Sequence, residues 1–318
     1  MIDFEEVKGK IRGPSVILMA PFKDNYELKI EALKENIRFI MDGGINNGKG
    51  HIICPCGTGE YVTLSPEETK MMVEAAVEVT GNELLVVAGV QSCDYRVVIK
   101  LANIAAEAGA KCVMIPPPYY HPISQESVYR WYKLIAEEIK IGIMCYGQPW
   151  RNIGIDFSVS LMSRLAKIEN IIAMKYQCAV TDLMGDYIEV LNRYSKRFAF
   201  IDNSRTHTTT VAHMHGAAGY ITAPGAFWPE FEVKFWSLLE QHKYQEADKW
   251  RTKLSPFFGF QRSEDAAGIG GGARYFKATL EYVGLYGGPV RPPFIELTKE
   301  QKNKFFGVLE GIGVPKKR

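Results

Sequence analysis

The feature that most constrains this chain is a strict alternation of short apolar runs with longer stretches of helical periodicity. Apolar runs over 14–22, 50–56, 84–90, 112–116, 141–146, 171–176, 198–202 and 219–222 read as strands. Stretches over 27–41, 66–80, 95–108, 125–138, 157–168, 181–194, 208–214 and 229–242 read as helices. Strict alternation implies parallel strands joined by crossover helices, and eight units in roughly 240 residues fit a closed (β/α)8 TIM barrel, an α/β fold, better than an open doubly wound sheet. The open sheet is the runner-up, but no Gly-x-Gly-x-x-Gly follows the first strand, so it brings no dinucleotide function. Ser65-Pro66-Glu67-Glu68 marks one helix start: an N-cap serine, proline at the first helical position and glutamate three residues after the cap.

After residue 243 the alternation stops, and 245–258, 272–283 and 298–309 read as helices with no strand between them. The expected organisation is a catalytic barrel over 1–243 and a helical appendage over 244–318. Gly268-Ile269-Gly270-Gly271-Gly272 lacks the lysine-serine pair and the preceding strand of a phosphate loop, and reads as a connector.

Composition excludes several classes of function. The 38 basic and 36 acidic residues of the 318 leave a net charge of +2, with no long block of one sign before the terminal Lys316-Lys317-Arg318. That balance argues against a nucleic acid or membrane-surface partner. The opening Met1-Ile2-Asp3-Phe4-Glu5-Glu6 lacks the basic start of a signal peptide, and no apolar run is long enough to span a bilayer, so a cytoplasmic protein is expected. The cysteines at 54, 56, 93, 112, 145 and 178 lie in or beside apolar runs without metal-pair spacing, and read as buried thiols of a reducing compartment. His213 and His215, two apart on a helix, point in different directions, so neither a metal nor a cofactor is expected.

The stretch Ile171-Ile172-Ala173-Met174-Lys175-Tyr176 places a lysine at the end of an apolar run too continuous for a half-solvated strand. Desolvation disfavours the ammonium and frees an amine to attack a carbonyl, the chemistry of a Schiff-base lysine. The alternative is a stem lying along the strand with its head in water. Period-two alternation puts Lys175 in the lumen with Ala173, and on the preceding strand Tyr146 with Met144 and Gly142, so Tyr146 and Lys175 are expected side by side.

These residues resemble the dihydrodipicolinate synthase / N-acetylneuraminate lyase superfamily of Schiff-base (β/α)8 enzymes. The resemblance covers nearly the whole barrel. It rests on the Gly57-Thr58-Gly59-Glu60 turn followed by Thr63-Leu64-Ser65-Pro66-Glu67-Glu68, the Pro118-Tyr119-Tyr120 loop, Tyr146, the stretch Leu165 to Lys175, and the closing Gly287-Gly288-Pro289-Val290-Arg291-Pro292-Pro293. The resemblance implies that Lys175 condenses with the 2-oxo group of pyruvate or a related acid, with Tyr146 transferring protons beside it. It implies that Gly57, Thr58 and Gly59 hold the substrate carboxylate and that Ile221 faces the Schiff base through its backbone. Arg151 would pair with a second carboxylate, and Tyr120 would reach into a neighbour's site, making the protein a homodimer or homotetramer.

One position departs from the synthase pattern. Synthases acting on aspartate semialdehyde carry threonine where this chain has Gly57, so their hydroxyl relay lacks a member here. The single-threonine turn resembles keto-deoxy sugar acid dehydratases, while Lys175-Tyr176 and Tyr146-x-x-Pro149 resemble aromatic hydratase-aldolases. The expected function is therefore a Schiff-base lyase, aldolase or hydro-lyase, acting on pyruvate or a 2-oxo-3-deoxy acid. The alternatives are 4-hydroxy-tetrahydrodipicolinate synthase and a 2-oxo acid binding barrel without turnover. Glu60, just after the turn, reads as a buried acceptor of backbone N–H groups, and Phe227 and Trp228 read as packing.

Overall fold

Eight parallel strands close on themselves in sequence order in the computed structural model, which describes residues 2–147, 157–178, 184–204, 208–265 and 272–317. A short helix, α1 (Phe4–Lys10), leads into β1 (Gly13–Ile17), α2 (Ile30–Asp42), β2 (His51–Ile53), α3 (Pro66–Thr80), β3 (Val86–Gly89), α4 (Tyr95–Glu107) and β4 (Cys112–Ile115). There follow α5 (Gln125–Glu138), β5 (Gly142–Tyr146), α6 (Val159–Leu165), β6 (Ile171–Tyr176), α7 (Met184–Tyr194), β7 (Ala199–Asp202), α8 (Thr208–Met214) and β8 (Gly219–Thr222). β8 pairs back onto β1, with Ser15 opposite Ile221. The expected barrel is the observed one.

Local signals account for several boundaries. Ser65 caps α3 by accepting from the Glu68 N–H, and the Glu68 carboxylate accepts from the Ser65 N–H, the reciprocal box that the spacing predicts. The strands are shorter than their apolar runs. In the run over 14–22 the strand ends at Ile17; Leu18 and Ala20 continue as buried backbone outside it and Phe22 makes an isolated antiparallel bridge with Leu28, because apolarity reports burial rather than strand length.

Beyond β8 lie α9 (Pro229–Glu240), α10 (Tyr244–Arg251), α11 (Ser255–Asp265), α12 (Ala273–Val283) and α13 (Lys299–Gly311). The single helix expected over 245–258 is two, separated by a 3-10 turn at Thr252–Leu254, and Ser255-Pro256 opens the second. The carboxylate of Glu232 on α9, fully buried, accepts from Tyr220 and Thr222 of β8 at 2.7 Å each and from Arg251 of α10 at 2.7 and 2.9 Å. Removing either partner of such a pair would strand a buried charge, so α10 is bound to the barrel wall.

Alternate residues point into the lumen, where Ile17, Ile53, Val87, Met114, Met144, Ala173 and Ile201 form one apolar cluster. Val7 of α1 and the following Ile11 belong to that cluster and close the N-terminal end. One expectation about the cysteines fails. Cys54, Cys56, Cys112 and Cys145 are buried, but Cys93 is exposed and Cys178 half-buried, because both lie in loops past strand ends. Among the described residues no His, Cys, Asp and Glu cluster could hold a metal, and no helix is long and apolar enough to cross a membrane.

At the floor of the lumen Ser15 and His51 share a hydrogen bond of 2.7 Å, both fully buried. Burial pushes the His51 imidazole down to about 4. Between about pH 6.5 and 4 the unfolded chain takes up a proton there that the folded chain refuses, so stability held above pH 6.5 is lost as pH falls, by about 3 kcal/mol. Urea unfolding from pH 7.5 to 4.5 should show this slope in the parent and a flatter one in His51→Gln. Parallel profiles would place the acid sensitivity elsewhere.

Candidate active site

The position of Lys175 follows from an irregularity in its own strand. Along β5 and β6, Ile143 opposes Ile171 and the next residue, Met144, opposes Ala173, so Ile172 is an extra residue in β6. Ile172 and Ala173 both join the lumen cluster, and the slot Ile172 occupies lies beside Gly142, where an added Cβ would meet the Ile172 Cδ1 at 2.5 Å. Bulges of this kind re-aim the residues that follow. After it the register settles, with Lys175 between Tyr146 on β5 and Ile201 on β7.

Lys175 is 7% exposed, and its Nζ lies 3.8 Å from the centre of the Tyr146 ring. Among the described residues no carboxylate lies within ion-pair range of it, so the aromatic face is its visible electrostatic partner. The Tyr146 backbone is fixed from behind: its N–H donates to the hydroxyl of Tyr132, which donates to the Ile115 carbonyl at 2.7 Å. The Tyr146 hydroxyl makes no hydrogen bond among the described residues, and Gly57 has no hydroxyl to offer it.

The turn after β2 divides the expected carboxylate residues. Gly57 and Thr58 are exposed, and their N–H groups reach no backbone carbonyl among the described residues. Gly59 is buried and its N–H already donates to the Cys56 sulfur at 3.2 Å. A Cβ on Gly59 would stand 1.9 Å from the Leu18 carbonyl oxygen, whereas a Cβ on Gly57 would meet only the Gln91 Nε2 at 3.8 Å. Cys56 is buried close enough to Lys175 to feel its charge, yet burial raises the thiol to about 11, so it stays protonated and donates to the Leu18 carbonyl.

The remaining expected residues are more scattered. Ile221 is half-buried on β8, opposite Ser15. Tyr120, on the loop after β4, is 80% exposed and meets the His121 ring edge-on at 4.6 Å. Arg151 and Trp150 lie outside the described residues, as do 266–271 of the glycine-rich connector. Glu60 is 1% exposed and accepts the Arg291 N–H at 2.7 Å, the buried acceptor its position predicts.

An amide pair lies at the mouth: Asn203 opens the 203–207 loop expected on the far side of the pocket, and Gln177 is the member that sequence reasoning passed over. Two residues past Lys175 and Ile201, on the same faces, Gln177 and Asn203 are joined by a hydrogen bond from Asn203 Nδ2 to Gln177 Oε1 at 2.8 Å. Asn203 is held by its N–H on the Tyr176 carbonyl. Its neighbour Asp202 is buried under Tyr187 and Thr209, each at 2.8 Å, with its carboxyl raised by desolvation. The period-two rule that places Lys175 inward could have found Gln177. A cavity of about 480 Å³ lies at the other end of the barrel, between α1 and the loops before β3 and β4, away from these groups.

The two turn glycines give opposite expectations. Gly59→Ala should cost more than about 2 kcal/mol, since a backbone carbonyl has to move, while Gly57→Ala should stay within about 1 kcal/mol. Urea denaturation of both variants checks this. Equal costs would mean that the turn relaxes as a unit.

Comparison with known proteins gives a consistent picture. The model of the dihydrodipicolinate synthetase family matches residues 10–311. The 4-hydroxy-tetrahydrodipicolinate synthase of Syntrophus aciditrophicus is 29% identical over 304 residues, 95% of this chain and 99% of that one. An uncharacterized DapA-like lyase of Thermococcus kodakarensis is 28% identical over 301 residues, 94% of this chain and 99% of that one. The crystal structure of dihydrodipicolinate synthase from Aquifex aeolicus superimposes with a TM-score of 0.85 at 26% identity, covering 97% of this chain and 100% of that one.

Proposed function

This chain belongs to the dihydrodipicolinate synthetase family, and from that premise we propose that Lys175 is the amine of a class I, Schiff-base lyase whose substrate is a hydroxylated 2-oxo acid. The observation that carries the assignment of Lys175 is its ammonium, buried at a strand tip on the Tyr146 ring without a carboxylate partner among the described residues. The amine adds to the C2 carbonyl and the carbinolamine loses its oxygen as water, leaving a protonated imine. Tyr146 moves the protons at that oxygen. The imine then draws electrons from one of two bonds. In cleavage, a base takes the C4 hydroxyl proton, the C3–C4 bond breaks into an aldehyde and an enamine, the enamine is protonated at C3, and water releases pyruvate. In dehydration, the C3 proton leaves and the C4 hydroxyl departs as water.

Two features support a hydroxylated substrate. Gly57 leaves space where a synthase places a threonine, and the Gln177–Asn203 pair presents neutral donors and acceptors suited to hydroxyl groups. The exposed turn takes the carboxylate through the backbone N–H groups of Gly57 and Thr58 and the Thr58 hydroxyl, the Ile221 backbone faces the imine, and Arg151 serves a second carboxylate. A second reading is 4-hydroxy-tetrahydrodipicolinate synthase, favoured by the names of relatives such as that of Syntrophus aciditrophicus. There Thr58 or a water would replace the missing hydroxyl.

Borohydride with pyruvate should add a stable mass to the peptide carrying Lys175, and Tyr146→Phe should lower turnover by roughly 10²-fold while still forming the adduct. A panel of 2-oxo-3-deoxy sugar acids, N-acetylneuraminate, aromatic acylpyruvates, and pyruvate with aspartate semialdehyde separates the readings by product mass. Consumption of aspartate semialdehyde alone would establish the synthase, and absence of any adduct would leave a barrel that binds without turnover.

We also propose that Tyr120 works in a neighbouring copy. Its 80% exposure in the single chain, on the loop after β4, supports this. Light scattering should find a dimer or tetramer, and a fully active monomer would contradict it. We place the protein in the cytoplasm, a reading that the near-neutral charge balance supports.

A further inference from the structure

The acid that closes the substrate turn is gripped from outside the barrel. Glu60 holds a left-handed backbone (φ 72°), which residues other than glycine keep only when their surroundings impose it. Its main chain finishes the turn: the Glu60 N–H donates to the Gly57 carbonyl at 3.2 Å, and the Glu60 carbonyl accepts from the Thr63 N–H at 2.9 Å. Its side chain faces the other way, into the C-terminal section. One carboxylate oxygen accepts the Arg291 N–H at 2.7 Å, and the other forms an ion pair with Lys277 of α12, both side chains being 2% exposed or less. Lys277 also donates to the Pro289 carbonyl at 2.6 Å and lies 4.4 Å from the centre of the Phe22 ring.

Arg291 extends the grip along the same segment. Its guanidinium donates to the Thr63 carbonyl at 2.6 Å and to both oxygens of Glu68, the α3 capping residue, at 2.9 and 2.7 Å. The strap that carries it lies directly on α12, since a Cβ on Gly287 would stand 2.2 Å from the Lys277 carbonyl oxygen. At the start of α12, Gly272 backs onto Thr58, whose Cγ2 is 3.4 Å from where a Cβ would be. Apart from Lys277 on Pro289 and Phe22 and an Arg291 hydrogen bond to the Tyr26 carbonyl, the contacts that Lys277, Arg291 and Gly272 make with the barrel land between residues 58 and 68. None reaches the strands.

We propose that Lys277 and Arg291 are positioning residues for the 2-oxo acid: by fixing Glu60 they aim the exposed N–H groups of Gly57 and Thr58 at the substrate carboxylate. This rests on the Schiff-base reading above. A buried ion pair is a weak source of net stability, because desolvation consumes most of the attraction, but it specifies one arrangement of the chains that carry it. The carboxylate contact depends on two N–H directions, and a turn that rocks loses both at once. The helical section after residue 243 is on this view a wall of the active site.

The test compares pyruvate with hydroxyacetone, a neutral 2-oxo compound without the carboxylate, by the rate of borohydride trapping on Lys175 over a range of concentrations. The double variant Glu60→Gln with Lys277→Met keeps the shape of the pair and removes both charges, so it avoids the stranded charge of either single change. Its half-saturating pyruvate concentration should rise at least tenfold, its maximal trapping rate and its hydroxyacetone curve should change less than threefold, and circular dichroism should report a folded protein. Lys277→Arg, which restores a cation, should recover part of the preference for pyruvate. An unchanged preference in the folded double variant overturns the proposal, and so does a failure of both variants to fold, which would make the contact scaffolding only. Absence of any pyruvate adduct in the parent would instead indict the Schiff-base reading.

Discussion

A lysine buried at a strand tip, with no carboxylate in ion-pair range among the described residues, is the constraint on which the rest of this molecule depends. Withdrawing an ammonium from water costs several kcal/mol, and the ring of Tyr146 returns about 0.5–2 kcal/mol of that. The remainder is borne by the barrel. It explains why the strand that carries Lys175 is apolar before it, why Tyr146 is held by its N–H on the Tyr132 hydroxyl, and why β6 contains an extra residue at Ile172. Without that bulge, plain alternation along β6 would hand the inward positions to a different set of residues.

The two ends of the barrel solve opposite problems. The N-terminal end is sealed: Val7 and Ile11 cover the lumen, and Ser15 and His51 answer one another in the dry floor. The C-terminal end carries polar groups left accessible, among them the exposed turn at Gly57 and Thr58 and the half-buried Gln177–Asn203 pair. Two buried acids, Glu60 and Glu232, lie between these regimes and the C-terminal helices, and each is answered by cations from that section. Charges buried in pairs make poor general adhesive but good register marks, which suits helices that have no strand of their own to align them.

What the sequence discloses, and what it withholds, follows from the range of each signal. Alternation, the Ser65 cap and the lysine strand are local patterns, and the eight strands, α3 and the Tyr146–Lys175 adjacency follow from them. The bulge at Ile172 is silent because Ile171, Ile172 and Ala173 are all apolar and mark no change of phase. The break between α10 and α11 was available in Ser255-Pro256, the same start signal as Ser65-Pro66, but helical periodicity across the junction masks it. Cys93 follows an apolar strand, which suggests burial, but it sits in the exposed loop past β3. Lys277 could not be read at all. Its helix is amphipathic, and Arg274, Lys277 and Glu281 at helical spacing read as a solvated stripe, yet Lys277 is buried, and its partner Glu60 is remote in sequence.

The two glycines of the substrate turn show why family membership and reaction are separable questions. Gly59 is glycine because a backbone oxygen occupies the place of its side chain, a demand of the fold that would hold for any chemistry above it. Gly57 has room, ordinary backbone geometry and no contact that forbids a larger residue, so its lack of a side chain is a property of the site. The imine proposed for Lys175 would be the same electron sink for cleavage, dehydration or condensation. What differs among these is which hydrogen bonds meet the far part of the substrate and which proton donor stands beside Tyr146. With no hydroxyl at 57, the proton transfer we propose for the Tyr146 phenol would run to the substrate, to water or to Thr58, and each choice fits a different second half of the reaction. On our reading the barrel and its lysine determine that a 2-oxo acid is activated, and the space at Gly57 with the amides at 177 and 203 determines which one.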